Sequence, residues 1–161
     1  VPIFHTQIQG QGVQPNGQTV NLPPPILMQQ RGPVAQVSVG IAQVYAQSLT
    51  AAGTPVPAPV SGWALIDTGA SMTCIDDAIA QKLGLPAIDR AKMASASHAG
   101  TECNVYPISF NIIGLPIQME LHRAIGANLQ SQGLAMLIGR DLLMRCTLHY
   151  NGLTGEFTIA M

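Results

Sequence analysis

The segment best able to do chemistry is Leu65-Ile66-Asp67-Thr68-Gly69-Ala70-Ser71. A carboxylate ends an apolar run and is followed by a hydroxyl residue, a glycine and two small residues. Hydrolysis of a peptide by water needs a base to take a proton from the water and an acid to protonate the carbonyl oxygen. Two carboxylates a few Å apart perform both tasks, because like charges that close cannot both ionise and so share one proton. Such a pair titrates as a unit. Gly69 lets the backbone come close to the carboxylates, where a Cβ would obstruct it. A second segment, Leu137-Ile138-Gly139-Arg140-Asp141-Leu142-Leu143, follows 70 residues later. Two apolar residues, a glycine and then a short helix make the companion loop expected beside such an aspartate.

Strands must carry these loops. Trp63-Ala64-Leu65-Ile66 reads as a short buried strand ending on Asp67, and Met72-Thr73-Cys74-Ile75 returns as another. Upstream, Val37, Val39 and Ile41 alternate with Ser38, Gly40 and Ala42, the period of a half-buried strand. Thr50 to Gly62 holds Gly53, Pro55, Pro57 and Pro59, a long connection that no helix survives. Asp76 to Gly84 is the one convincing helix: Asp76 or Asp77 caps it, Ile79 and Leu83 share a face, and Gly84 stops it. Met93 to Val105 reads as a mobile hairpin. Ile108 to Ile112 and Ile117 to Leu121 form a second one around Gly114-Leu115-Pro116. Leu134 to Ile138 is a buried strand. A last hairpin pairs Thr147–Tyr150 with Phe157–Ile159 across Asn151-Gly152 and Gly155. Many short strands with Gly and Pro turns indicate a mainly-β barrel or sandwich with one or two short helices. Residues 1–33, rich in Gln, Gly and Pro, read as an extended arm or linker that Ile26-Leu27-Met28 could pin onto the folded body, residues 34–161.

Composition narrows the function. Only 9% of the 161 residues are charged, against roughly 25% in an average soluble protein. Seven basic and eight acidic side chains leave a net charge of −1, no footprint for nucleic acid or an anionic membrane. No run approaches the roughly 20 apolar residues of a transmembrane segment. Cys74, Cys103 and Cys146 fit neither a disulfide scaffold nor a zinc site, so no metal or cofactor is expected. Their odd number favours a reducing, cytoplasmic compartment. A first residue of Val1 rather than Met reads as a processed or cut chain.

From about Val37 to Ile159 the chain resembles the retropepsin-like aspartic proteases, the single-domain relatives of pepsin. Asp67-Thr68-Gly69-Ala70 and Leu137-Ile138-Gly139-Arg140 carry the resemblance, and Cys146-Thr147-Leu148-His149-Tyr150 looks like the strand after the helix in the viral enzymes. The resemblance implies an acid-protease barrel with one lobe per chain. It makes Asp67, Thr68 and Gly69 the catalytic residues, with the Thr68 hydroxyl bracing the two loops. Leu65, Ala70, Ser71, Met72, Cys74, Ala135 and Leu137 would line the substrate cleft. Ala96, Ser97, His98, Ala99 and Gly100 would form the tip of the hairpin that closes over a bound polypeptide.

None of Asp76, Asp77, Asp89 or Asp141 is followed by Thr-Gly or Ser-Gly, so one chain supplies one catalytic aspartate. The second must come from another copy across a two-fold axis, which makes the active enzyme a homodimer. The viral pattern has an acidic residue where Ser71 stands, leaving Asp141 as a substitute ion partner for Arg140. Pepsins carry a hydroxyl residue at the position of Ala70 that favours the ionised carboxylate. Its absence predicts an optimum at mildly acidic pH. The alternative reading is a non-catalytic module of the same fold that dimerises or binds peptides.

Overall fold

The computed structural model describes the backbone of residues 1–95 and 98–161, and the side chains of 1–93 and 100–161. Alternation builds its centre. In β4 (Val34–Ile41) and β5 (Val60–Ile66), Val37, Val39, Ala64 and Ile66 turn to the core, while Trp63 and Leu65 face the other way. The sheet continues through β6 (Cys74–Asp76), β7 (Asp89–Ser95), β8 (His98–Ile112), β9 (Met119–Ala127) and β10 (Met136–Ile138). Its order is β4-β5-β10-β6-β9-β8-β7, and β8 pairs with β4 as well, so the hydrogen-bonded order returns on itself. The main core holds Val37, Val39, Ile75, Ile108, Phe110 and Met136, all essentially inaccessible to solvent.

One topological detail positions the site. Strand β10 lies between β5 and β6, parallel to the first and antiparallel to the second. The loop joining β5 to β6, residues 67–73, must therefore cross the end of β10. Gly139 makes this crossing possible. A Cβ there would stand 2.5 Å from the Met72 carbonyl carbon, 2.6 Å from its oxygen and 2.9 Å from the Thr73 nitrogen. Its φ of −89° suits any residue, so the requirement is for space alone.

Helix content exceeds the expected one or two short segments. Among the described residues there are four α-helices: α1 (Pro24–Arg31), α2 (Gln43–Ala51), α3 (Asp77–Lys82) and α4 (Arg140–Leu143). Helix α3 is the expected one, capped by Asp76, whose carboxylate accepts from the Ala78 N–H at 3.0 Å and the Leu129 N–H at 2.8 Å. Helix α1 replaces part of the predicted extended arm. Its prolines sit in the first turn, where a missing N–H costs nothing, and Gly32 ends it at φ 71°. Leu27 and Met28 from α1 enter the main core, 0% and 2% exposed. Helix α2 buries no residue fully and has no side-chain cap, so little in its sequence announces it.

The N-terminal residues are tied down by strands too. β1 (Ile3–Gln7) pairs antiparallel with β12 (Glu156–Ala160), which also pairs with β11 (Thr147–Asn151). Phe4 packs against Phe157 with ring centroids 5.8 Å apart. β2 (Gln11–Val13) and β3 (Thr19–Asn21) form a separate hairpin. Among the described residues no helix is long and apolar enough to cross a membrane.

Candidate active site

Asp67 follows β5 directly, and its N–H donates to the Ile138 carbonyl at 2.9 Å, continuing the ladder between β5 and β10. One carboxylate oxygen, Oδ1, accepts the Gly69 N–H at 2.8 Å and the Ala70 N–H at 3.2 Å. The turn folds back on its own aspartate and fixes the carboxylate's direction. A Cβ on Gly69 would stand 3.1 Å from that same Oδ1, tight enough to disturb the cradle. Oδ2 accepts no hydrogen bond among the described residues.

The second loop locks onto the first. The Arg140 N–H donates to the Ala70 carbonyl at 3.0 Å, and the Arg140 guanidinium to the Thr68 carbonyl at 3.1 Å. Asp141 does not serve as the ion partner of Arg140, as the sequence suggested. Both its oxygens are taken by Thr73: the hydroxyl donates to Oδ1 at 2.7 Å and the N–H to Oδ2 at 3.0 Å. The Thr73 hydroxyl in turn accepts the Gly139 N–H at 3.1 Å. Thr73 is wholly buried, so these bonds satisfy groups that water cannot reach. Sequence reasoning passed over Thr73. The signal was a single hydroxyl between Met72 and Cys74 in an otherwise apolar strand.

The expected cleft residues divide. Met72, Cys74 and Leu137 meet in a second apolar cluster with Val105 and Ile125, separate from the main core. Leu65 is half-buried on the outward face of β5, beside Trp63 and Leu134. Ala135 lies instead in the main core, 4% exposed, packed so tightly over Gly62 that a Cβ there would come within 2.5 Å of its own. Thr68, Gly69 and Ser71 are exposed, and Ala70 is half-buried. Gly100 is exposed on β8 beside Lys92 and Met93 of β7. Ala96 and Ser97 lie outside the described residues, as do the side chains of His98 and Ala99; the backbone of His98 pairs with Ser95.

Burial sets the nearby titrations. The Cys74 thiol is pushed up to about 11, first by burial and then by the charges of Asp141, Cys103 and Asp67. It is therefore a neutral packing group and not a nucleophile. Asp77 is raised by burial and by Asp76. Among the described residues no three His, Cys, Asp or Glu side chains group as metal ligands.

A family model described as "gag-polyprotein putative aspartyl protease" matches residues 59–145, more than half of the chain. The chain belongs to this family. Both loops of the site lie inside the matched segment, so this retropepsin-like aspartic protease family is carried by the residues that make the geometry above. Among solved structures, a retropepsin-like aspartic protease from Rickettsia conorii is similar over 98% of this chain and 92% of its own, at 12% identity and a TM-score of 0.47. The retroviral protease-like domain of Ddi1 from Leishmania major is similar over 73% of this chain and 81% of its own, at 16% identity and a TM-score of 0.39. No curated protein is similar enough to count as a relative.

Proposed function

We propose that the chain is an aspartic endopeptidase that hydrolyses extended polypeptides, its active site completed by Asp67 of a second copy. The observation that carries this reading is the Asp67 carboxylate, held through Oδ1 by the N–H groups of Gly69 and Ala70 with Oδ2 free. Two such carboxylates facing each other share one proton. The ionised member takes a proton from a water, the protonated member gives one to the carbonyl oxygen, and the attacked carbonyl becomes tetrahedral. The carboxyl that took the water's proton passes it to the leaving nitrogen, while its partner takes one from a hydroxyl of the tetrahedral diol. The C–N bond breaks, a carboxylic acid and an amine form, and the pair again shares one proton. No metal or cofactor takes part.

Thr68 acts between the two copies: it is exposed, and its own carbonyl is fixed by Arg140, which leaves its hydroxyl free to brace the partner loop. Met72, Leu137 and Leu65 supply the apolar walls, and the hairpin of β7 and β8 closes over the peptide.

The test is incubation with a denatured polypeptide, with and without a pepstatin-type inhibitor. Cleavage that the inhibitor stops, and that is lost in Asp67→Asn, is the expected result. Folded protein that binds the polypeptide without cleaving it would favour a peptide-binding module instead.

A further inference from the structure

A cavity of about 890 Å³ opens on the outward face of β5, where Trp63 and Leu65 form part of its wall with Leu134. Leu65 stands two residues before Asp67 and shares its side of the chain, about 7 Å away along the strand. The opposite wall comes from residues before position 32: Gln7, Gln9 and Arg31. These lie outside the segment matched by the family model, so this wall belongs to this chain's own N-terminal region.

Arg31 is the only charged residue among the first 66. It is also the only charged side chain lining the cavity, and among the described residues it has no carboxylate partner. Its position is defined: a Cβ on Gly10 would stand 2.9 Å from its Nη1, and one on the next residue, Gly32, 2.7 Å from Leu65 Cδ1. The guanidinium thus lies over the Gly10 backbone while the following turn rests on Leu65. A cavity lined by a single cation, several amide side chains, Trp63 and Leu65 fits a carboxylate on an aliphatic stem.

We infer that this cavity is a specificity subsite, in which Arg31 selects a Glu or Asp side chain of the polypeptide within about four residues of the bond to be cut. The inference rests on the Asp67 site cleaving peptides. The N-terminal region would then be part of the substrate-binding surface as well as of the core.

The test uses extended apolar peptides, amidated at the C-terminus, that differ only in Glu against Gln at successive positions. Wild type is expected to show a position on each side of the scissile bond, the two related by the two-fold axis, where Glu raises kcat/KM about tenfold over Gln. Arg31→Gln should bring that ratio near one, Arg31→Lys should keep part of it, and Arg31→Glu should turn the preference toward Lys. A merely structural role would slow all peptides together and leave the ratio unmoved. An equal Glu/Gln ratio in wild type and Arg31→Gln overturns the inference. A free C-terminus replacing the side-chain carboxylate, with the same Arg31-dependent gain, would overturn the assignment to a side chain. Calorimetric binding of the same peptides to Asp67→Asn separates the two readings. An Arg31-dependent preference for Glu there, without cleavage by wild type, would sink the peptidase and keep the subsite; cleavage without any preference would do the reverse.

Discussion

Asp141 holds Thr73 by both its carboxylate oxygens, at 2.7 Å from the hydroxyl and 3.0 Å from the N–H, across 68 residues of chain. The pair ties the helix after Gly139 to the far end of the loop that begins at Asp67. Arg140 ties the same helix to the near end through Thr68 and Ala70. Adjacent residues on α4 thus clamp both parts of the loop that carries Asp67.

Removing the Asp141 clamp should cost stability directly. Asp141→Ala leaves the buried hydroxyl and N–H of Thr73 without an acceptor, a loss of about 2 kcal/mol. Thermal unfolding should show Tm lower by about 6 °C. Asp141→Asn, which keeps one acceptor for the hydroxyl, should recover part of it.

Arg140 should behave differently. Its side chain is on the surface and holds only the Thr68 carbonyl, so Arg140→Ala should leave Tm within about 2 °C of wild type. Activity depends on where Thr68 and Asp67 stand, and it should fall roughly tenfold or more. Equal losses of activity and stability would contradict the positioning role.

Gly139 has no room for a methyl group. Gly139→Ala would force the Met72 backbone away, at about 3 kcal/mol or more, with no relief from side-chain rotation. Circular dichroism melts should show a large drop in Tm, and the protein should lose activity with it.

The N-terminal residues contribute to the fold and not only to its surface. Leu27→Ala in α1 should cost about 3 kcal/mol, the penalty of a cavity in the main core. Denaturant unfolding would read the change. A cost near zero would contradict an anchoring role for Leu27.

Cys74 supplies a prediction in pH. Its thiol stays protonated in the folded chain to about 11, against an ordinary value of 9.0, so over that interval the folded state holds a proton that the unfolded state has lost. Its contribution is complete below pH 9 and disappears as pH rises through about 11. Unfolding free energy should fall more steeply over this range in wild type than in Cys74→Ala. Alkylation of the native protein near neutral pH should spare Cys74.

The sequence was most readable where periodicity and special residues coincided. Alternation in Val37-Ser38-Val39, the Asp76 cap and the Asn151-Gly152 turn all correspond to elements observed at those places. The loop after β5 could be picked out because Asp67, Thr68 and Gly69 are adjacent. Its supports could not, since Thr73 and Asp141 meet only after β10 inserts between β5 and β6. Helix α1 was obscured by three successive prolines, which interrupt a helix in its middle but are tolerated at its start. The resemblance named Ala135 for the cleft, and the structure packs it over Gly62 in the main core.

The central claim is that two copies of Asp67 make one site, and mixing tests it most directly. Wild type and Asp67→Asn chains are combined at fixed total concentration, allowed to exchange subunits, and assayed on one peptide. A shared site predicts that activity falls as the square of the wild-type fraction, to about a quarter at equal mixing. A linear fall to about half, or cleavage by Asp67→Asn alone, would contradict it.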